Sequence, residues 1–499
     1  MSTASKGDLS SKGLAFAFLT TGGFAVANLV TSLARNKGLA VELGPVGFGQ
    51  WSQIMAFAFL VQTAATLGIT GGVARYVAEY RREGRSPEAV VTTALIFLGG
   101  VSMLGAFLLL MASPWIARWT VDQSDWWWVV GLAGFIAPLV AVHCVYQSAL
   151  KGFGDYKGLA KAGIFGAFAS LAIAIVAALT LGVKGVAIFV TGSFLVQASL
   201  HAWQLRRHLS LRVMLRQFEL PLVRKLLGYG GVAMVGAILA TVGNLAGRSV
   251  LLHEYGPESN GYYQAMSGLT LQILPVFLSG ITLYVIPRLG GVSDKAYTGE
   301  VVTLVVRAVC LLIMPLLALG VVFREWFLQY LFSAEFLVAA PWLPVQFTGD
   351  LFLALAWACS SFLLPTGRLR AFLICESTRA ILFFLIAVTL LRLHLEPLGV
   401  SALAIALVVA YAVEVVMLVY VARRAIGLRL GCLLRNIVPM LLAWCGVLAV
   451  CYLFPLGLRL LMVSAILGLY WWRMIERREW GLLVSALRFR KPGPSVSGS

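Results

Sequence analysis

Few side chains in this 499-residue sequence could do chemistry, and most of them interrupt long apolar runs. Arg248 follows Asn244 by four residues and Thr241 by seven, which puts a polar stripe along one face of a helix. Asn28, Ser32 and Arg35 repeat the arrangement near the N-terminus. A guanidinium stays charged at any depth and presents a planar fork of donors, so arginines so placed suit the capture of a lipid phosphate or pyrophosphate. The competing reading is that each arginine snorkels from the end of an apolar run to water, and Asn36 and Lys37 beside Arg35 favour it there.

Asp350 and Glu414 are acids inside apolar runs, and an ionisable residue in such a run is a candidate proton or ion-coupling site unless it is neutral or paired. Glu376 and Arg379, three residues apart, read as an internal pair. Gln53, Gln62 and Gln272 could line a polar lumen for hydroxyl-rich cargo, or serve only as packing between helices. His143 with Gln147 reads as polar glue of the same sort. The seven cysteines mostly sit within apolar runs without metal-ligand spacing and read as small core residues. No phosphate-binding glycine loop, HExxH or GxSxG occurs, so no catalytic residue, cofactor or metal is expected, and the protein reads as something other than an enzyme.

The elements that carry these residues follow from composition. Sixty per cent hydrophobic residues, 12 per cent charged and a mean hydropathy of +0.89 lie outside the range of water-soluble domains. Lipid cannot satisfy backbone amides, so a crossing helix needs about 20 apolar residues, and such runs recur along nearly the whole chain. The apolar windows give fourteen candidate spans, the first beginning near residue 13 and the last near residue 458. The expected fold class is therefore all-α and polytopic. The net charge of +18 reports topology rather than a nucleic-acid partner, because lysine and arginine accumulate in cytoplasmic loops. With both termini cytoplasmic, about 30 basic residues fall inside and about seven outside. Residues 75 to 85, 151 to 157, 204 to 225 and 422 to 435 are then cytoplasmic, while Trp126, Trp127 and Trp128 anchor the opposite interface.

Short motifs recur along the chain. ELGPVGFGQW (42 to 51) is echoed by EYGPESNGYY (254 to 263), and Gly154 by Gly367, and Gly185 by Gly399, all at offsets of about 212 to 214 residues. The repeats fall six spans apart, which preserves orientation and predicts two lobes related by an axis along the membrane normal. The expected organisation is a first six-helix lobe over 1–203, a basic linker over 204–225 that could lie on the inner leaflet, and a second lobe over 226–422. Two appended helices over 435–475 and a basic tail over 476–499 complete it.

LGPVGFGQW, GGVARYVAEYRREG and LKGFGDYKGLAKAG in the first half resemble the polysaccharide exporters of the multidrug/oligosaccharidyl-lipid/polysaccharide flippase superfamily. EYGPESNGYYQAMSGL, FLLPTGRLRAFLICESTRAILFF and LEPLGVSALAIA agree in the second. The resemblance implies a two-lobed transporter around a central cleft in the cell membrane. Its cargo would be a polyprenyl-linked oligosaccharide, moved from the inner to the outer leaflet by alternating access. Partners would be membrane lipids and, for assembly, polysaccharide polymerase and glycosyltransferase machinery. The alternatives are a cation-coupled multidrug extruder, a lipid II flippase, and a non-transporting scaffold for polysaccharide assembly. The chain lacks the ADAF-like motif and the Pro-Asn-x-x-Arg-Arg turn of lipid II flippases. It also carries Asn28 where some drug extruders place a coupling acid.

The charge asymmetry makes a direct prediction. In intact cells, Gly84→Cys should react with an impermeant thiol reagent only after the cytoplasmic side is opened, and Ser124→Cys without such treatment. The reverse pattern would falsify the orientation.

Overall fold

A computed structural model describes residues 11–209, 217–289, 294–394 and 399–474, and among these every regular element is a helix. The first half contains α1 (Ser11–Ala65), α2 (Thr70–Arg82), α3 (Pro87–Val121), α4 (Trp127–Gly134), α5 (Ile136–Phe153), α6 (Tyr156–Leu181) and α7 (Val186–Leu205). The second contains α8 (Leu220–Leu289), α9 (Lys295–Val322), α10 (Arg324–Leu331), α11 (Leu343–Ser360), α12 (Leu369–Arg392) and α13 (Val400–Ile426). After these come α14 (Leu430–Leu453) and α15 (Leu456–Met474).

Ten helical stretches are long and apolar enough to cross a bilayer, so this is a multi-pass membrane protein. Their outward faces agree with that setting. Along α3, Met103, Phe107, Met111 and Trp115 form a stripe in which every side chain is more than half exposed, a surface that water would not tolerate and lipid does. Three stretches, of 60, 50 and 45 residues, are far longer than one crossing. Each contains a glycine that breaks it: Gly44 (φ 61°), Gly182 (φ 56°) and Gly256 (φ 85°). At Gly44 and Gly256 the cause is legible. The following proline forbids helical backbone at the residue before it, and the turn then needs a positive φ that only glycine adopts without strain. The two Glu-x-Gly-Pro motifs thus fold into the same turn, with Pro45 and Pro257 opening the next helical arm.

In the first half α1 packs on α6, α6 on α7, and α5 on both α3 and α7; in the second, α8 packs on α12, α11 on α13, and α12 on α13. The appended α14 and α15 lean on α9. There Tyr470 donates to the Cys310 carbonyl (2.8 Å) and Arg307 to the Met474 carbonyl (2.6 Å), while Trp444 of α14 donates to Thr348 on α11 (3.0 Å).

Helix bounds differ from the expected boundaries in one instructive place. The helix opening the second lobe starts at Leu220, within the expected linker, and its Leu222 and Leu226 are buried in a core with Ile69, Val73 and Leu150 of the first lobe. The Glu219 amide donates to Thr93 (2.9 Å), and Tyr80 donates to the Glu219 carboxylate (3.1 Å). Part of the basic stretch expected as a surface helix, residues 210–216, lies outside the described residues, as does the tail expected over 476–499.

The most extensive helix–helix contact is between α1 and α8, the joint between the lobes. At its turn end the backbones meet reciprocally. A Cβ placed on Gly49 would lie 1.9 Å from the Pro257 carbonyl oxygen, and one on Gly261 would lie 2.1 Å from that of Pro45. Gly49 and Gly261, like Pro45 and Pro257, are repeat mates, so this contact sits on the pseudo-twofold axis. In the turn that follows α1 the lobes meet again, where a Cβ on Gly230 would lie 1.8 Å from the Gly68 carbonyl oxygen. Between lobes, Phe48 also meets Phe332 (5.8 Å) and Phe336 (5.7 Å) edge-on, and Lys37 donates to the carbonyls of Gln329 and Phe332.

Gly49→Ala and Gly261→Ala should each wedge the turn end apart. The expected result is a loss of about 1–3 kcal/mol in stability of the closed form, read as a lower unfolding temperature and faster thiol labelling of a Phe48→Cys reporter. Gly105→Ala, which meets nothing within 4 Å, is the matched control and should leave both unchanged.

Candidate functional site

The joint between α1 and α8 holds a buried polar network in an otherwise apolar contact. Arg248 lies on the arm of α8 before the Gly256 break, whereas Asn260 and Gln264 lie one turn apart on the arm after it. The guanidinium spans the break: Nε donates to Asn260 Oδ1 (3.0 Å) and Nη1 to Gln264 Oε1 (2.9 Å). Its third nitrogen crosses to the other lobe, where Nη2 donates to Ser52 Oγ (2.6 Å), and Ser52 in turn donates to the Gly49 carbonyl (2.9 Å). Gln53, fully buried, donates to Ser249 (2.8 Å) and accepts from Asn260 (3.3 Å), while Asn260 also donates to the Gly49 carbonyl (2.9 Å). The close glycine contact is what lets these short side chains reach across.

The electrostatics of the network are one-sided. Arg248 is 5 % exposed, yet Ser52, Asn260 and Gln264 are all neutral, and among the described residues no carboxylate pairs with it. The nearest aromatic face is Tyr263, 5.8 Å from the guanidinium carbon. Burying an ion costs several kcal/mol even after relaxation, and neutral hydrogen bonds offset only part of that. The joint therefore carries a positive charge that its neutral hydrogen-bond partners do not balance.

The other expected residues are not all gathered here. Arg35 turns into its own lobe and sits 5.3 Å from the centre of the Phe189 ring, so it neither reaches Arg248 nor faces the joint. The repeat offset places Asn36, buried, opposite Arg248, and Asn36 with Gln264 and Gln272 surrounds Gly268 on α8. Sequence spacing alone had matched Arg35 instead, one residue and about 100° of helix away. Asn28 donates back to the Phe24 carbonyl (3.2 Å), a local bond within α1. Gln272 has a buried carbonyl oxygen without a partner among the described residues, and Gln62 is half-buried. Asn244 hydrogen-bonds with Tyr263 inside the second lobe.

The second lobe also collects the acids. Glu414, 3 % exposed, lies 3.1 Å from Arg379, which is in turn paired with Glu376 and placed 4.8 Å from the Tyr411 ring centre. The internal Glu376–Arg379 pair is thus present, and Glu414 is its third member. Asp350, 2 % exposed, is held by Gln346 (3.3 and 3.4 Å), with no cation paired to it among the described residues. In the first lobe His143 meets His201 (ring centres 4.8 Å apart), while Gln147 accepts from Lys151 (3.3 Å). Sequence reasoning missed Ser52, Ser249, Asn260 and Gln264. A signal for two of them existed: the repeat offset superposes Ser52 on Gln264.

Comparison with known proteins places this architecture. The chain is 22% identical over 389 residues to the lipid III flippase of Escherichia coli (strain K12), a match covering 76% of this chain and 92% of that protein. Its fold is similar to that of the lipid II flippase MurJ in an inward closed conformation, with a TM-score of 0.68, 12% identity, and coverage of 95% of this chain and 100% of that one. It is also similar to an inward-facing multidrug resistance MATE family transporter of the MOP superfamily, with a TM-score of 0.66, 15% identity, and coverage of 81% and 98%. The chain therefore shares the fold of these two structures. Residues 39–341, more than half of the chain, match the family model for polysaccharide biosynthesis proteins, and the chain belongs to that family.

Proposed function

We propose that this protein is a flippase that carries a polyprenyl-(pyro)phosphate-linked oligosaccharide from the cytoplasmic to the outer leaflet of the cell membrane. It would do so by alternating access, with both termini cytoplasmic. The single observation that carries the reading is the buried Arg248 guanidinium, held at the joint between the lobes by neutral partners alone. A drug extruder selecting cations has no use for an unpaired buried cation at that place, whereas a lipid phosphate supplies the missing charge. The family match and the flippase relative support the same choice.

In this reading the Gly44 and Gly256 turns face outward and the structure is closed there. Ser52 occupies one donor of Arg248 only while the lobes touch. When they part, that donor is released toward the cleft, where the phosphate takes it. Gln272 and Asn36, on the same joint, meet the sugar, and the prenyl chain stays in lipid. Fourteen crossings follow if each glycine-broken stretch crosses twice and α15 crosses once. Asp350 and Glu414 are the candidates for ion coupling. Asp350 is favoured, since it lacks the arginine that Glu414 has.

Reconstituted vesicles loaded with a fluorescent polyprenyl-diphosphate oligosaccharide test the proposal, the wild-type protein being expected to move it between leaflets. Arg248→Gln and Arg248→Ala should each reduce the rate at least about tenfold at normal protein level, since a hydrogen bond to a charged group contributes roughly 1.5–3 kcal/mol. Arg248→Lys should keep part of it. The discriminating variant is Asn260→Asp, which gives Arg248 a carboxylate of its own. A purely structural arginine would tolerate that pairing, so full transport by Asn260→Asp would remove Arg248 from cargo binding.

A further inference from the structure

Far from the α1–α8 joint, a cavity of about 1080 Å³ opens where the start of α9, the turn between α13 and α14, the first turns of α14 and the end of α15 converge. Among the described residues its charged lining consists of Lys295, Arg307, Arg429, Arg435 and Arg473 against a single carboxylate, Glu300. Loops on the cytoplasmic side are generally basic, but that rule places cations along a surface and does not converge them on one concavity. Like charges so gathered repel one another until an anion joins them.

A second, independent feature points the same way. Helix α14 begins at Leu430 with Arg429 at its N-cap, no side chain caps it, and no acid stands in its first turn. Helix starts ordinarily recruit Ser, Thr, Asp or Asn for this task, as α9 does with Asp294, which accepts from the Ala296 amide at 2.9 Å. The positive end of α14, without a capping side chain or an acid in its first turn, is thus left to reinforce the arginines at the cavity wall. Beyond the charged rim the wall changes character. Leu304, one turn past Glu300, and Leu434 and Val438 on α14 line the cavity and are each more than two-fifths exposed. A soluble anion would gain nothing from that apolar wall, whereas an amphiphile would bury its first methylenes there.

We propose that this cavity binds the phosphate headgroup of a lipid, with the phosphate against Arg429, Arg435, Arg473 and the start of α14 and the chain running along Leu304, Leu434 and Val438. The ligand chemistry is a lipid-borne phosphate mono- or diester or diphosphate. Its two sources in a membrane are the bulk anionic phospholipid and a polyprenyl diphosphate. The assignment of the site to the cytoplasmic leaflet rests on the orientation proposed above; the site itself does not rest on the cargo or on transport.

Native mass spectrometry of the purified full-length protein tests it without any transport step. Cardiolipin, phosphatidylglycerol, phosphatidylcholine of matched chains, a long-chain polyprenyl diphosphate and inorganic pyrophosphate are titrated in turn. The anionic lipids should bind at least tenfold more tightly than phosphatidylcholine and than pyrophosphate. The Arg429→Gln/Arg435→Gln/Arg473→Gln protein should lose that preference, whereas Arg118→Gln, at the far end of α3, should keep it. Should the triple variant fold poorly, Glu300→Gln reads the same site in the opposite direction by tightening anionic-lipid binding several-fold. Displacement of cardiolipin by the polyprenyl diphosphate identifies the site as one visited by prenyl-linked lipid, and persistence of cardiolipin identifies it as a phospholipid site. Equal binding of phosphatidylcholine, pyrophosphate as tight as the lipids, or an unchanged preference in the triple and Glu300→Gln variants would overturn the proposal.

Discussion

A guanidinium buried among neutral partners sets the terms on which the two lobes of this protein can meet. Arg248 loses its hydration at the α1–α8 joint and donates three hydrogen bonds, one of them to Ser52 on the opposite lobe. That bond is possible because Gly49 and Gly261 let the two backbones approach to a distance at which even a methyl group would collide. The glycines supply proximity, and proximity lets side chains as short as serine and asparagine solvate a charge. In lipid, where packing rather than apolar burial joins helices, such a contact of small residues with a polar seam is the expected form of a specific and reversible joint. Of the three bonds only the one to Ser52 spans the lobes, so it alone depends on their contact.

The duplicated half-chain explains why the joint is symmetric in backbone and asymmetric in chemistry. Both Gly-Pro turns have the same conformation, and each glycine contacts the proline carbonyl of the other repeat. The side chains at matched positions have diverged. Asn260 corresponds to Phe48, and the one solvates Arg248 while the other packs edge-on against Phe332 and Phe336. Arg248 itself corresponds to Asn36. A twofold hinge is thus kept by the backbone while ionisable groups accumulate on one lobe, where Asp350, Glu376, Arg379 and Glu414 also lie. Motion between two similar bodies needs the symmetry; a preference for one class of cargo needs the departure from it.

How much of this was legible in the sequence depends on contrast. Gly-Pro pairs and basic loops stand out against an apolar background, so the repeat, the two-lobed architecture and the helical class could be read directly. The Glu376–Arg379 pair was visible because both partners lie on one helix. Glu414 was singled out as an acid, but its partner lies on another helix, and no local spacing reports that. Ser52, Asn260 and Gln264 were overlooked for the same reason: each is a lone polar residue in an apolar run, and only the fold shows that three of them converge on one guanidinium. Arg35 was matched with Arg248 because the types agreed, but a one-residue register difference on a helix rotates a side chain by about 100°, enough to turn it from the joint to Phe189. The start of α8 was placed late because Leu222 and Leu226 look like linker residues until the first lobe's core is seen to receive them.

If Arg248 is the cargo's phosphate ligand, its present partners set an energetic rule for the cycle. A phosphate and the closed joint compete for the same donors, so cargo capture and outer closure oppose one another without any relay between distant sites. Moving a two-state equilibrium from 1:99 to 99:1 takes about 5.5 kcal/mol of differential binding. A hydrogen bond to a charged group contributes roughly 1.5–3 kcal/mol, so two or three made only in the open form cover that range. The guanidinium has enough donors to make them once Ser52 withdraws. The neutrality of the partners fits the same rule: a carboxylate in place of Asn260, on the lobe that carries Arg248, would neutralise the guanidinium in both forms and leave a phosphate little to gain by binding.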